Sequence, residues 1–174
     1  MTQFNSKSEP SESFSSFEDA TQYLEKMCRV LGVRHLSYWS LSLVDGLPDQ
    51  VTWISTYDPA YMAHYMSTYT PLGDPAFDEG QDKPHVIDWS ELNAVNGTTQ
   101  RMQAQAARYG IAKHGLSYPF HDGMTRQIMF SANIDCSDGD WPREKARIIG
   151  IFCGFAHYFH ARAKPLVDAR RAAA

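Results

Sequence analysis

Apolar and polar positions along the chain follow two periods. Phe17, Ala20, Leu24, Met27, Cys28 and Leu31 recur every three or four residues, which places them on one helical face. Ser15-Ser16-Phe17-Glu18 precedes this stripe as a capping box with Ser15 as cap, and Gly32 closes the helix. The period then drops to two. Trp39, Leu41 and Leu43 alternate with Tyr38, Ser40 and Ser42. Val51, Trp53, Ser55 and Tyr57 alternate with Thr52, Ile54 and Thr56. Asp45-Gly46 and Pro48-Asp49 separate the two runs, so they read as a hairpin.

Asp58-Pro59 opens a second helix, with Asp58 as N-cap and Pro59 at its first position. Tyr61, Tyr65 and Tyr69 share a face of it, and Pro71, Gly73 and Pro75 end it. An acidic, polar loop over 78–84 leads to a short strand from His85 to Trp89. A third helix over roughly 98–109 has Thr98 or Thr99 as cap and Gly110 as stop. Strands near 112–121 and 126–134 are joined by an Asp122-Gly123 turn. The last helix begins between Asp140 and Pro142 and carries Ile148, Ile151, Phe152, Phe155 and Phe159 as its apolar stripe. Hairpin signals outnumber parallel crossovers, which predicts one mainly antiparallel sheet with helices on both faces. Residues 1–14 are rich in Ser, Glu and Pro and read as a disordered tail.

At 174 residues the chain suits one domain with room for a cavity in its core. A net charge of −4 gives no basic field for nucleic acid. The basic residues Arg162, Lys164, Arg170 and Arg171 read as a helix end or linker. Cys28, Cys136 and Cys153 are odd in number and far apart, against a disulfide framework or a structural zinc. With no signal peptide and no apolar run near the ~18 residues of a membrane span, a reducing cytoplasm is expected, with no membrane partner.

The chemistry concentrates in Tyr57-Asp58-Pro59-Ala60-Tyr61-Met62-Ala63-His64-Tyr65, Asp74-Pro75 and Trp89. The corner at Asp58-Pro59 brings the strand end at Tyr57 toward Tyr61 and Tyr65 on the helix. Phenols, one carboxylate and one indole beside apolar walls suit a small amphiphilic ligand. Asp74 is the carboxylate near that cleft, and a ligand N–H would satisfy it. No nucleophile–base motif, phosphate loop or zinc motif is present, so an enzyme is not expected. His157 and His160, three apart, read as a helix face rather than metal ligands. His114 and His121 read as structural, and His64 as lying on the outer side of its helix.

Tyr57-x-Pro59-x-Tyr61-x-x-His64-Tyr65, then Asp74-Pro75, Trp89, the run Gly115-Leu116-Ser117-Tyr118-Pro119-Phe120-His121, and Ser131 together resemble the autoinducer-binding domain of LuxR-type quorum-sensing regulators. The resemblance runs from residue 17 to about 160. It implies a GAF/PAS-like α/β/α sandwich with a five-stranded sheet, binding an N-acyl-homoserine lactone with no cofactor and no metal. Asp74 would accept the ligand's amide N–H, Tyr57 and Ser131 would donate to the acyl carbonyl, and Tyr65 and Trp89 would pack against chain and ring. Tyr61 departs from the family's usual Trp, and Trp39 and Trp53 are bulky for inward positions and would reshape the acyl tunnel. The implied organisation is a binding domain over 15–165 and the start of an interdomain linker over 166–174. Its partners would be the autoinducer, a second copy of the chain and, through a helix-turn-helix domain absent here, DNA. The chain is then a ligand-binding fragment or a regulator lacking its DNA reader. The alternative is a dimerisation module that inhibits a full-length paralogue.

Overall fold

The first helix, α1 (Phe17–Leu31), is capped by Ser16 and not by Ser15. The Ser16 hydroxyl accepts from the Asp19 N–H at 3.0 Å, and the Asp19 carboxylate accepts from the N–H and hydroxyl of Ser15. The acid of the capping box is therefore Asp19, one residue beyond Glu18. Gly32 takes a φ of 64°, a left-handed conformation that suits glycine, and its N–H closes on the Cys28 carbonyl. Ala20, Leu24, Cys28 and Leu31 are buried, as their spacing predicts.

This computed structural model describes residues 12–45, 47–69, 73–80, 85–92 and 97–173. The turn residue Gly46, the breaker Pro71, loop positions 81–84 and tail positions 1–11 lie outside the described residues. Phe14, placed by the sequence in the tail, is 3% exposed. Its ring meets Phe159 at 5.1 Å, and the Arg162 guanidinium lies 4.1 Å above it. That partner surface is 145 residues away in the chain, beyond the reach of local composition.

Five strands follow: β1 (His35–Val44), β2 (Leu47–Ser55), β3 (Ile87–Asp88), β4 (His114–His121) and β5 (Arg126–Ile134). They form one antiparallel sheet in the order β2-β1-β5-β4-β3. The other helices are α2 (Pro59–Thr68), α3 (Pro75–Glu79), α4 (Thr98–Arg108) and α5 (Trp141–Ala172). α1 and α5 cover one face of the sheet, and α2, α3 and α4 cover the other, so the chain is the expected α/β/α sandwich. Residues 166–172 continue α5.

Covering both faces overrides the simple alternation of β1. Ser37, Trp39 and Leu41 face α2–α4, while Leu36 and Tyr38 face α1 and α5, and all are buried. Tyr38, on the nominally polar side, is enclosed, and its hydroxyl lies 2.9 Å from His160 Nδ1. On α5 the buried stripe is Ile148, Phe152, Ala156, Phe159, Ala163 and Val167, while Ile151 is 48% exposed. Steps of three and four residues keep those six in line; position 151 falls off that line.

Candidate ligand-binding cavity

Between the sheet and α2–α4 lies a cavity of about 100 Å³, several times the room one buried water needs. It exists because small side chains face it from several sides. The sheet contributes Ser37, Ser131 and Ser117, and the helices and the segment before β4 contribute Ala76, Ala106 and Ala112. Larger apolar groups close the rest, among them Met62, Phe77, Leu92, Met102, Ile111 and Met129.

Asp58 starts α2 by accepting the Ala60 N–H at 2.7 Å, with Pro59 at its first position. That corner sets Tyr57 against Tyr61 with ring centroids 5.3 Å apart. Tyr61 continues to Tyr65 at 6.2 Å, and Tyr65 to Tyr69 at the same distance. α3, which takes Asp78 and Glu79 from the expected 78–84 loop, is capped by Asp74 through a 2.9 Å bond from the Ala76 N–H. The other carboxylate oxygen of Asp74 accepts the Tyr65 hydroxyl at 2.6 Å. Two acceptor positions are thus filled, and a carboxylate offers about four.

Burial pushes the Asp74 carboxyl up, while the bonds from Tyr65 and Ala76 pull it down. Burial also pushes the Tyr57, Tyr61 and Tyr65 phenols up, with the Asp74 charge adding to each. All three are therefore O–H donors at neutral pH. Tyr65 already uses its proton; neither the Tyr57 nor the Tyr61 hydroxyl has a hydrogen-bond partner among the described residues. Asp88, 5% exposed, is engaged elsewhere. Burial raises it, but bonds from Lys145, Ser90 and Trp141 outweigh that and hold it below the usual carboxylate range.

Seven of the eight sequence-predicted residues line the cavity: Tyr57, Tyr61, Tyr65, Asp74, Trp89, Ser131 and Trp39. Trp53 does not. It pairs with Trp39 from β2, the edge strand, and packs behind that indole at 5.9 Å. Trp89 lies flat on Gly115, where a Cβ would come within 2.5 Å of the indole, which is why the G of the Gly115–His121 run must lack a side chain. Its Nε1–H donates to Ser117 Oγ at 2.9 Å.

Sequence reasoning missed Ser37, Ser117, Thr99 and Met102. Ser117 lies inside the Gly115–His121 run, but its partners depend on strand register. The sequence offers Thr98 or Thr99 as the cap of α4. Gly97 holds that position without a side-chain bond, and Thr99 lies buried in the wall. His64 is also repositioned: its Nε2 lies 2.9 Å from Gln105 of α4, and it stacks on Tyr109 at 5.8 Å. His157 bonds Tyr118, and His114 pairs with Asp138 while stacking on Trp141. Among the described residues no cluster of three His, Cys, Asp or Glu is placed to hold a metal, and no helix is long and apolar enough to cross a membrane.

A sequence profile of the autoinducer binding domain matches residues 16–163, which include every wall of this cavity. The chain belongs to the autoinducer-binding domain family. Autoinducer-binding domains serve LuxR-type quorum-sensing regulators as signal receptors; they are not enzymes and use no cofactor. The fold is shared with solved structures of low sequence identity. CepR2 from Burkholderia cenocepacia, an N-acylhomoserine lactone dependent LuxR family transcription factor, aligns at 14% identity and a TM-score of 0.60, over 84% of both chains. The VqsR LBD domain from Pseudomonas aeruginosa aligns at 15% identity and 0.56, over 84% of this chain and 85% of that one. Escherichia coli SdiA aligns at 12% identity and 0.55, over 78% of this chain and 62% of that one. Comparison with curated protein sequences gives no match.

Proposed function

We propose that this domain takes up an N-acyl-homoserine lactone, or a close analogue, in the cavity between the sheet and α2–α4. The observation that carries the reading is Asp74: a half-buried carboxylate in the cavity wall with two acceptor positions unfilled. A ligand amide N–H offsets the cost of keeping it there. Tyr57 and Ser131 donate to the acyl carbonyl, Trp89 and Tyr65 pack the ligand, and Trp39 walls the tail. Tyr61 sets its hydroxyl where the family usually has an indole N–H, and so faces the lactone carbonyl from a different reach. Trp53 acts only by backing Trp39.

Ligand uptake then stabilises the fold and promotes pairing of two copies, which in a longer regulator controls binding to DNA. Exposed Ile149, Ile151 and Tyr158 on α5 support a pairing surface. The cavity favours a receptor over a pairing module that needs no ligand. Thermal melting across a panel of homoserine lactones tests the reading. A rise in Tm that grows with ligand concentration is expected, about 2.7 kcal/mol of added stability at a hundredfold excess over Kd. An unaltered Tm across the panel contradicts it.

A further inference from the structure

Three serines stand side by side on the cavity face of the sheet. Ser37 of β1 pairs with Ser131 of β5, and Ser131 pairs with Ser117 of β4. Opposed residues of antiparallel strands have Cα atoms about 4.5–5.5 Å apart, so the three hydroxyls form one continuous row. All three line the cavity, at 1%, 7% and 1% exposure respectively.

An indole closes each end of the row. Trp39 Nε1–H donates to Ser37 Oγ at 3.3 Å, and Trp89 Nε1–H donates to Ser117 Oγ at 2.9 Å. An indole can only donate, so these bonds occupy serine lone pairs and leave the serine protons unused. The 2.8 Å bond between Ser117 and Ser131 uses one of the three protons. Two O–H donors therefore remain without an acceptor among the described residues: the Ser37 hydroxyl, and one from the Ser117–Ser131 pair. A Ser117 oxygen that accepts from Trp89 becomes the better donor, which favours the direction Trp89 to Ser117 to Ser131 and leaves the Ser131 proton for the ligand. Buried hydroxyl protons facing methylenes are costly, so the row calls for oxygen atoms on the ligand.

We propose that the row reads two acceptor oxygens on one ligand, and that the preferred signal is an acyl chain with an oxo or hydroxy oxygen at its third carbon. Ser131 donates to the amide carbonyl, and Ser37 donates to the chain oxygen. These oxygens sit on carbons separated by one methylene, which suits donors on adjacent strands. The inference rests on the receptor reading and sharpens it to a ligand class.

Calorimetry on the intact chain tests it with two homoserine lactones of equal chain length, one 3-oxo and one unsubstituted. The wild type is expected to prefer the 3-oxo ligand by about tenfold, the worth of one hydrogen bond. In Ser37→Ala that ratio is expected to fall below about threefold. Equal affinity of the wild type for both ligands overturns the inference alone, as does a preference that survives Ser37→Ala. Uptake of neither ligand overturns the receptor reading together with it.

Discussion

Asp74→Asn separates the two tasks of this side chain. As cap of α3, Asp74 accepts the Ala76 N–H at 2.9 Å, and Asn is as good a cap as Asp. Its bond from the Tyr65 hydroxyl passes from a charged to a neutral acceptor, a loss of about 1 kcal/mol. Removing a buried charge offsets part of that, so the ligand-free protein is expected to lose no more than about 1 kcal/mol. The ligand meets a different balance. A hydrogen bond to a carboxylate contributes about 1.5–3 kcal/mol, against about 0.5–1.5 for a neutral pair. If the Asn oxygen stays toward the ligand, affinity falls by about 1 kcal/mol. If the NH2 turns to face the ligand amide, the whole bond is lost. Calorimetry should therefore show affinity for an acyl-homoserine lactone reduced by about 5- to 150-fold, with the ligand-free Tm shifted little. Affinity held within about twofold of wild type would refute the placement of Asp74 at the ligand amide. A Tm loss that accounts for the whole drop would make Asp74 a scaffold residue instead.

Gly115→Ala sets a methyl group within 2.5 Å of the Trp89 indole, so the indole or the strand must shift. A loss of about 1–3 kcal/mol in denaturant unfolding is expected, with lactone affinity reduced as Trp89 leaves Ser117; wild-type stability would contradict this contact. Tyr61→Trp restores an indole donor and should raise affinity for ordinary acyl-homoserine lactones in a binding titration. A fall of about tenfold would match Tyr61 to a different headgroup. His160 is buried beside Asp122, whose charge Lys164 and Arg126 already balance, and burial lowers its pKa to about 4. The folded protein thus binds fewer protons than the unfolded chain. This contribution is complete above about pH 6.5 and is lost as pH falls toward 4, up to about 3 kcal/mol. Melting curves over that window should show a steeper decline for wild type than for His160→Gln; equal slopes would contradict a buried neutral His160.

Much of this architecture is visible in the chain itself, because local physics and tertiary packing agree there. The α1 stripe, the Asp58-Pro59 corner and the two hairpins each follow from spacing and cap chemistry, and the sheet assembles from them. Asp74 stood out as an acid among Pro71, Gly73 and Pro75, and it does line the cavity. What escaped was set by distant partners. Phe14 is buried by Phe159 and Arg162, which composition near the N-terminus cannot reveal. Tyr38 is enclosed because α5 covers a face that alternation marks as polar. Trp53 looks equivalent to Trp39 in pattern, yet the edge position of β2 moves it one strand away from the cavity. Ser37 and Ser117 are ordinary strand serines until register sets them beside Ser131.

Crystals of the domain grown with a 3-oxo-acyl-homoserine lactone give the most direct test of the central claim. The ligand is expected in the cavity, its amide nitrogen within hydrogen-bond distance of the Asp74 carboxylate and its acyl carbonyl facing Tyr57 and Ser131. A lactone bound elsewhere on the surface, or seated in the cavity with Asp74 bonded only to Tyr65 and Ala76, would contradict it.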